Sequence, residues 1–355
     1  MTQTGIPFLF MRGGTSRGPY MRRSDLPEDQ EALAQVLIAM VGAGHPINID
    51  GIGGGTAVTT KVAMLSASED EWADVDYFFA QVSVEEHLVD FKPTCGNILV
   101  GVGPAAVEMG IVAPKGDVTE VKIRAVNTGA RVVARVETPG GAVSYDGVPG
   151  TAAPVELQFM DVVGGATGAM FPTGNRVDVV GGIEVTCIDV AMPVVIARAS
   201  DFGLTGHESA AELDENRDFY AQMEPIRREA GALMGMGDVS DSVTPKFAVV
   251  APAKDGGAAA TRYFMPKKCH PSLAVTGSQA ISACLLCPGT VADGLMAIPN
   301  ARPARMFLEH PMGKLEVLVD FGLDGAAFEM ISAGLTRTAR KLAAGEVFVP
   351  KAVWS

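Results

Sequence analysis

The feature that most constrains the fold of this 355-residue chain is an internal repeat: its two halves present the same patterns in the same order. Residues 6–11 read as a strand, followed by a turn and an Arg-rich stretch ending Ser24-Asp25-Leu26. Residues 183–188 and 194–204 repeat this, ending Ser200-Asp201-Phe202. A helical stretch follows in each half, over 28–41 and 216–234. Next comes a Gly-rich turn running into a strand that carries a lysine, Lys61 in residues 51–64 and Lys246 in residues 235–250. A turn then starts a helix of small residues, Phe91 to Asn97 in one half and Ser272 to Gln279 in the other, so that Cys95 corresponds to Thr276. The repeat predicts an α+β protein of two pseudo-symmetric domains, 1–181 and 182–355, parted near Gly181-Gly182, with the final segment free to return to the first. Residues 118–160, alternating as β with a turn at Pro139-Gly140-Gly141, complete the first domain. Both helix starts are expected to face one shared interdomain cleft, a common place for a site.

Composition narrows the function. With 48% hydrophobic and 19% charged residues the chain has ample core material and reads as globular. It has no uninterrupted apolar stretch of the ~20 residues that span a bilayer, and its start lacks a signal-peptide pattern, so a cytoplasmic location is expected. Five cysteines, odd and sparse, fit a reducing compartment rather than a disulfide framework. A net charge of −13 disfavours nucleic acid and means that an anionic substrate must be drawn by a local cationic pocket.

Thr94-Cys95-Gly96-Asn97 precedes a run of small and apolar residues over 98–107. If that run is a helix, Cys95 sits at its positive end, where unpaired N–H groups and the dipole stabilise a thiolate or a bound carboxylate. Taken alone it is equally a buried structural cysteine, and Lys61 equally a surface lysine at a strand start. Together they are two titratable groups of opposite charge type, suited to moving a proton from and to carbon. Residues 51–55 brush against a dinucleotide fingerprint without matching one. Cys284-Leu285-Leu286-Cys287 reads as a buried helix segment, and Cys269-His270 leaves a metal site open.

The segments Met11-Arg12-Gly13-Gly14-Thr15-Ser16-Arg17-Gly18, Gly53-Gly54-Gly55-Thr56 through Thr60-Lys61-Val62, Cys95-Gly96-Asn97, Pro245-Lys246, Thr276-Gly277-Ser278 and His310-Pro311-Met312-Gly313-Lys314 span nearly the whole chain. Together they resemble the PrpF family of the diaminopimelate epimerase-like fold. The resemblance implies two similar domains, each a barrel-like β-sheet around a central helix, and neither metal nor organic cofactor. It places the proton-moving pair at Lys61 and Cys95. Residues 50–54, 75–82 and 95–104 look most like the 4-oxalomesaconate tautomerases and isomerases of gallate, protocatechuate and lignin-derived ring-cleavage pathways. Within the family, 2-methylaconitate cis-trans isomerisation is the alternative; outside it, a silent tricarboxylate-binding protein.

Carboxylates are expected on Arg12, the Thr15 and Ser16 hydroxyls, and the helix starts at Gly96-Asn97 and Thr276-Gly277-Ser278. Lys246 either binds a carboxylate or is a relic of the repeat. His310 and Lys314 either touch substrate or serve structure. Thr94 and Arg17 depart from a common Asn and Lys, which puts the pocket edge in doubt. Thr276 cannot act as a base, which disfavours two-thiol racemisation. The expected partner is a small tricarboxylate, with no nucleic acid or membrane, and a homodimer is a candidate assembly.

Overall fold

The computed structural model describes residues 3–137, 143–145, 148–265 and 267–355; the turn expected at Pro139-Gly140-Gly141 lies outside the described residues. The chain divides into two units, Met1–Phe159 with Thr336–Ser355, and Met160–Leu335. The first holds β1 (Gln3–Gly13), β2 (Ser16–Arg22), α1 (Gln30–Val41), β3 (Lys61–Ala67), β4 (Val75–Val82), β5 (Val89–Asp90), α2 (Gly96–Leu99), α3 (Val102–Glu108), β6 (Val118–Ala125), β7 (Ala130–Glu137), β8 (Val143–Tyr145), β9 (Val148–Ala152) and β10 (Pro154–Met160). The second holds β11 (Asp178–Val180), β12 (Ile183–Val190), β13 (Met192–Arg198), α4 (Ala210–Glu215), α5 (Arg217–Leu233), β14 (Lys246–Ala251), β15 (Ala259–Phe264), α6 (Val275–Leu286), β16 (Ala304–His310) and β17 (Gly313–Asp324). The chain closes with the long β18 (Ala327–Pro350).

The repeat is written in the strand directions. β1–β2 pair antiparallel, β2–β3 parallel, β3–β4 antiparallel, β4–β6 parallel and β6–β7 antiparallel. In the second unit β12–β13, β13–β14, β14–β15, β15–β16 and β16–β17 follow the same alternation. The end of β18 pairs with β1, from Gly13↔Ala339 to Gln3↔Pro350, and β10 neighbours β18, so the first unit closes into a barrel. A closed sheet leaves no exposed strand edge.

The junction differs from the expected 181/182. Residues 160–181 bond to the second unit: Val163 bridges Val190, and the Ala166 and Thr167 N–H groups donate to the Asp189 carboxylate. The last twenty residues return to the first unit because β1 supplies the hydrogen bonds their backbone needs.

Each sheet is covered on both faces, which explains continuous apolar runs such as Val62-Ala63-Met64-Leu65. Ala63 and Leu65 face inward to α2 and α3, with Tyr20, Tyr77 and Ile123. Val62 and Met64 face outward to Leu33, Val36 and Leu37 of α1. In the second unit α6 is buried from Gly277 to Leu286, which makes Cys284 a core residue of a helix. Phe219, Met223 and Ile226 of α5 cover Val195, Phe247 and Val249 on the other face. Among the described residues no helix is long and apolar enough to cross a membrane.

The run over 98–107 is two helices rather than one. The Tyr20 hydroxyl donates to the Ile98 carbonyl at 2.5 Å, and the Gly101 N–H takes the same carbonyl at 2.9 Å in a tightened turn. Pro104 has no N–H to offer the carbonyl of Val100. Gly101 is required at the break, since a Cβ there would lie 2.3 Å from the Tyr20 hydroxyl.

Glu309 of β16 anchors the loop between β14 and β15, accepting from the N–H groups of Lys254, Asp255 and Gly257 at 2.9, 2.6 and 2.9 Å. Burial opposes its charge, but these three donors outweigh it and hold the carboxyl below the ordinary range. A depressed carboxylate contributes stability above its unfolded value of about 4.3 and loses it as pH falls through the folded value. Thermal denaturation across pH 2–6 is therefore expected to show an acid-side fall in Tm that Glu309→Gln flattens. An equally steep fall in the variant would exclude this anchor as its source.

Candidate functional site

Lys61 opens β3, and the two-residue period of a strand puts its side chain on the inward face with Ala63 and Leu65. The neighbouring strand lies unusually close: a Cβ on Gly18 would fall 1.8 Å from the Lys61 carbonyl oxygen. Cys95 caps α2 with extended backbone, φ −132° and ψ 107°, and is 9% exposed. The two meet, with Lys61 Nζ 3.1 Å from Cys95 Sγ and 5.7 Å from the centre of the Phe79 ring. Two buried phenols support α2 from below. Tyr20 donates to Ile98 O, and Tyr77 to Cys95 O at 3.5 Å. Burial first, and then the neighbouring Cys95, push both phenols well above their ordinary pKa, so they remain donors.

Above this pair the start of α2 is open. The first N–H groups of a helix have no partner within it, and a Cβ on Gly96 would meet nothing within 4 Å. Asn97 Oδ1 accepts from the Thr15 N–H at 3.4 Å, and the β1–β2 turn packs so closely that a Cβ on Gly14, which has φ +50°, would lie 2.3 Å from that oxygen. The Ser16 side chain is 2% exposed, and its hydroxyl has no hydrogen-bond partner among the described residues. It lies on the same face of β2 as Gly18 and Tyr20, the face that meets α2.

Arg12 is not brought to the pair. Its neighbour Met11 packs in the cluster that contains Cys95, so Arg12 takes the other face of β1. Its guanidinium donates to Gly14 O at 2.9 Å, Thr338 O at 2.7 Å and Thr338 Oγ1 at 2.9 Å, tying the turn to β18. Burial, and then the adjacent Arg340, lower its pKa. Thr15 is exposed.

The second unit's residues are placed as follows. Lys246 opens β14 as Lys61 opens β3, and burial and then Arg227 lower its pKa. The Thr276 hydroxyl donates to Met192 Sδ at 3.2 Å. Gly277 rests on the Tyr263 ring, where a Cβ would lie 2.3 Å from Cε2. The Ser278 hydroxyl is 2% exposed and donates to Val275 O at 2.7 Å within its own helix, an arrangement that engages it locally. Lys314 Nζ donates to Asp255 O at 2.7 Å and pairs with its carboxylate at 3.1 Å. His310 Nε2 stands 3.4 Å from Ser272 Oγ. Sequence reasoning missed Tyr20, Tyr77 and Ser272, and weighed His270 only as a metal ligand beside Cys269. Cys269 is a core thiol, 3% exposed and raised by burial to a pKa of about 11. Among the described residues no group of three or more His, Cys, Asp or Glu could hold a metal ion.

A family model described as PrpF protein matches residues 3–350. YbhH of Escherichia coli (strain K12) is 48% identical over 97% of this chain and 99% of its own length. A (4E)-oxalomesaconate Delta-isomerase of Novosphingobium sp. (strain KA1) is 45% identical over 97% of each chain. A 4-oxalomesaconate tautomerase of Pseudomonas putida is 44% identical over 100% of this chain and 99% of its own. A crystal structure of methylitaconate-delta-isomerase is similar with a TM-score of 0.92 and 33% identity, covering 100% of this chain and 99% of that one.

Proposed function

We propose, for a chain that belongs to the PrpF family and is an isomerase, that the substrate is 4-oxalomesaconate and that Lys61 and Cys95 relocate its proton. The relatives named for that substrate, at 45% and 44% identity, support it over the methylitaconate enzyme at 33%. The observation that carries the mechanism is the 3.1 Å contact between Nζ and Sγ beside the open start of α2. The reading also places the enzyme after oxidative ring cleavage in aromatic catabolism, where such a keto-tricarboxylate arises.

The chemistry balances without a further reactant. An allylic C–H bond breaks, its proton passes to the neutral amine of Lys61, and the electron pair spreads through the double bond into the keto oxygen as a dienolate. The Cys95 thiol gives its proton to the second carbon or to the enolate oxygen, yielding the shifted alkene or the enol. The resulting ammonium and thiolate reset by moving one proton across their hydrogen bond. The α2 N–H groups at Gly96 and Asn97, with the Ser16 hydroxyl, are the donors for a carboxylate or the developing enolate, a contribution often worth several kcal/mol.

The test is turnover in D2O followed by proton NMR, with 4-oxalomesaconate and 2-methylaconitate offered separately. Conversion of oxalomesaconate with one solvent deuterium in the product is expected. Faster turnover of 2-methylaconitate would replace the substrate, and tight binding without deuterium uptake would replace the enzyme with a receptor.

A further inference from the structure

Lys246, Tyr263 and His270 share one face of the second unit's sheet. Lys246 and Tyr263 alternate with Phe247 and Phe264, which belong to the core under α5, and so point the other way. The chain after β15 folds back, Met265 N–H donating to Lys268 O at 2.8 Å and His270 N–H to Tyr263 O at 2.7 Å. This lays the His270 ring against Tyr263, with centroids 6.3 Å apart. Gly277, near the start of α6, rests on the same tyrosine.

The backbone fixes the imidazole tautomers. Ser272 N–H donates to His270 Nδ1 at 3.0 Å, which uses that nitrogen's lone pair and leaves the proton of the neutral ring on Nε2. Burial above all, with the charge of Lys246 adding to it, favours the neutral form of His270. Met312 N–H donates to His310 Nδ1 at 3.2 Å, so His310 Nε2–H is directed at Ser272 Oγ, 3.4 Å away. The serine oxygen then accepts from His310, and its own proton is available to donate elsewhere. Among the described residues, neither His270 Nε2 nor Lys246 Nζ has a hydrogen-bond or ion-pair partner, and no carboxylate contributes to the shift of either group. Three donors without an acceptor, in a chain of net charge −13, form a place prepared for an anion.

We propose that His270 Nε2–H, the Ser272 hydroxyl and the Lys246 ammonium of the second unit bind a carboxylate group of the substrate, with His310 as the residue that positions Ser272. This rests on the substrate being a polycarboxylate, as proposed above. Two neutral donors and one cation suit a monoanionic carboxylate better than a dianionic phosphate, which favours more cations.

Binding separates this inference from the catalytic one, because tricarballylate, a tricarboxylate with no double bond, is not turned over. Calorimetric titration of tricarballylate into the full-length protein is expected to show Kd raised about tenfold to a hundredfold by His270→Phe and by Lys246→Met, since each removes a hydrogen bond to a charged group. His270→Gln, which keeps a donor, is expected to lose less, and it carries the test if the Phe variant does not fold. A double-mutant cycle reads the role of His310: Ser272→Ala with His310→Phe should weaken binding no more than Ser272→Ala alone, and full additivity would overturn the positioning role. Unchanged affinity in the His270 and Lys246 variants would overturn the site. Inorganic phosphate binding as tightly as tricarballylate, and lost in the same variants, would overturn its assignment to a carboxylate.

Discussion

Lys61→Met and Cys95→Ser are each expected to lower kcat by about 10²- to 10⁴-fold, the usual contribution of a positioned general acid or base. Both substitutions nearly conserve shape, so thermal stability should change little and the loss should appear in turnover. The two variants are expected to differ in one readout. In D2O the Cys95→Ser enzyme retains Lys61 to take the allylic proton and should still exchange it with solvent, although isomerisation is lost. The Lys61→Met enzyme should lose exchange and isomerisation together. The opposite pattern would exchange the two roles, and wild-type turnover in both variants would remove the pair from the mechanism. Because the two groups share one hydrogen bond of 3.1 Å and act as a unit, the double variant should be scarcely worse than the poorer single one.

Glu224→Leu is the substitution expected to cost the second unit the most stability. The Arg227 side chain is fully buried; it donates to both Glu224 oxygens at 2.7 and 2.8 Å, and to Val239 O and Pro245 O at 3.0 and 3.2 Å. The guanidinium therefore ties α5 to the chain that leads into β14 and Lys246. Burial opposes the Glu224 charge, but the hydrogen bonds from Arg227 and Arg228 outweigh it and hold the carboxyl below the ordinary range. Removing Glu224 leaves a buried cation without its counter-charge, a change that costs about 3–5 kcal/mol. At about 2–4 °C per kcal/mol for a unit of this size, Tm should fall by roughly 6–20 °C. Glu224→Leu combined with Arg227→Met should lose less than Glu224→Leu alone, because no unpaired charge stays buried. A double variant less stable than the single one would show that the carbonyl contacts of Arg227, rather than its charge balance, hold this region.

Much of the site was legible because strands and turns are local. The Gly-rich turn before Lys61 announced a strand start, and the two-residue period then fixed which face the lysine takes. The same period separates Met11 from Arg12, so the placement of Arg12 away from Cys95 was readable once the inward side of β1 was known. Ser278 was misjudged for an equally local reason, since a helical serine can donate to the carbonyl three residues back, and this one does, to Val275. The break between α2 and α3 was not legible: the group that takes the Ile98 carbonyl is the phenol of Tyr20, far away along the chain.

By itself the sequence determined the repeat, the identity and order of the elements, the inward face of each strand, and the presence of one lysine and one cysteine where a proton could be moved. These follow from short-range rules, the period of a strand and the chemistry of a turn. Only the tertiary structure decided that Lys61 and Cys95 touch, that the Arg12 guanidinium holds a turn to Thr338, that residues 336–355 complete the first unit, and that His270 and Ser272 stand beside Lys246 as unengaged donors. The physical reason is that a local pattern specifies an element and its buried face, whereas the partner of that face is set by pairings such as Gln3 with Pro350, which no local rule encodes.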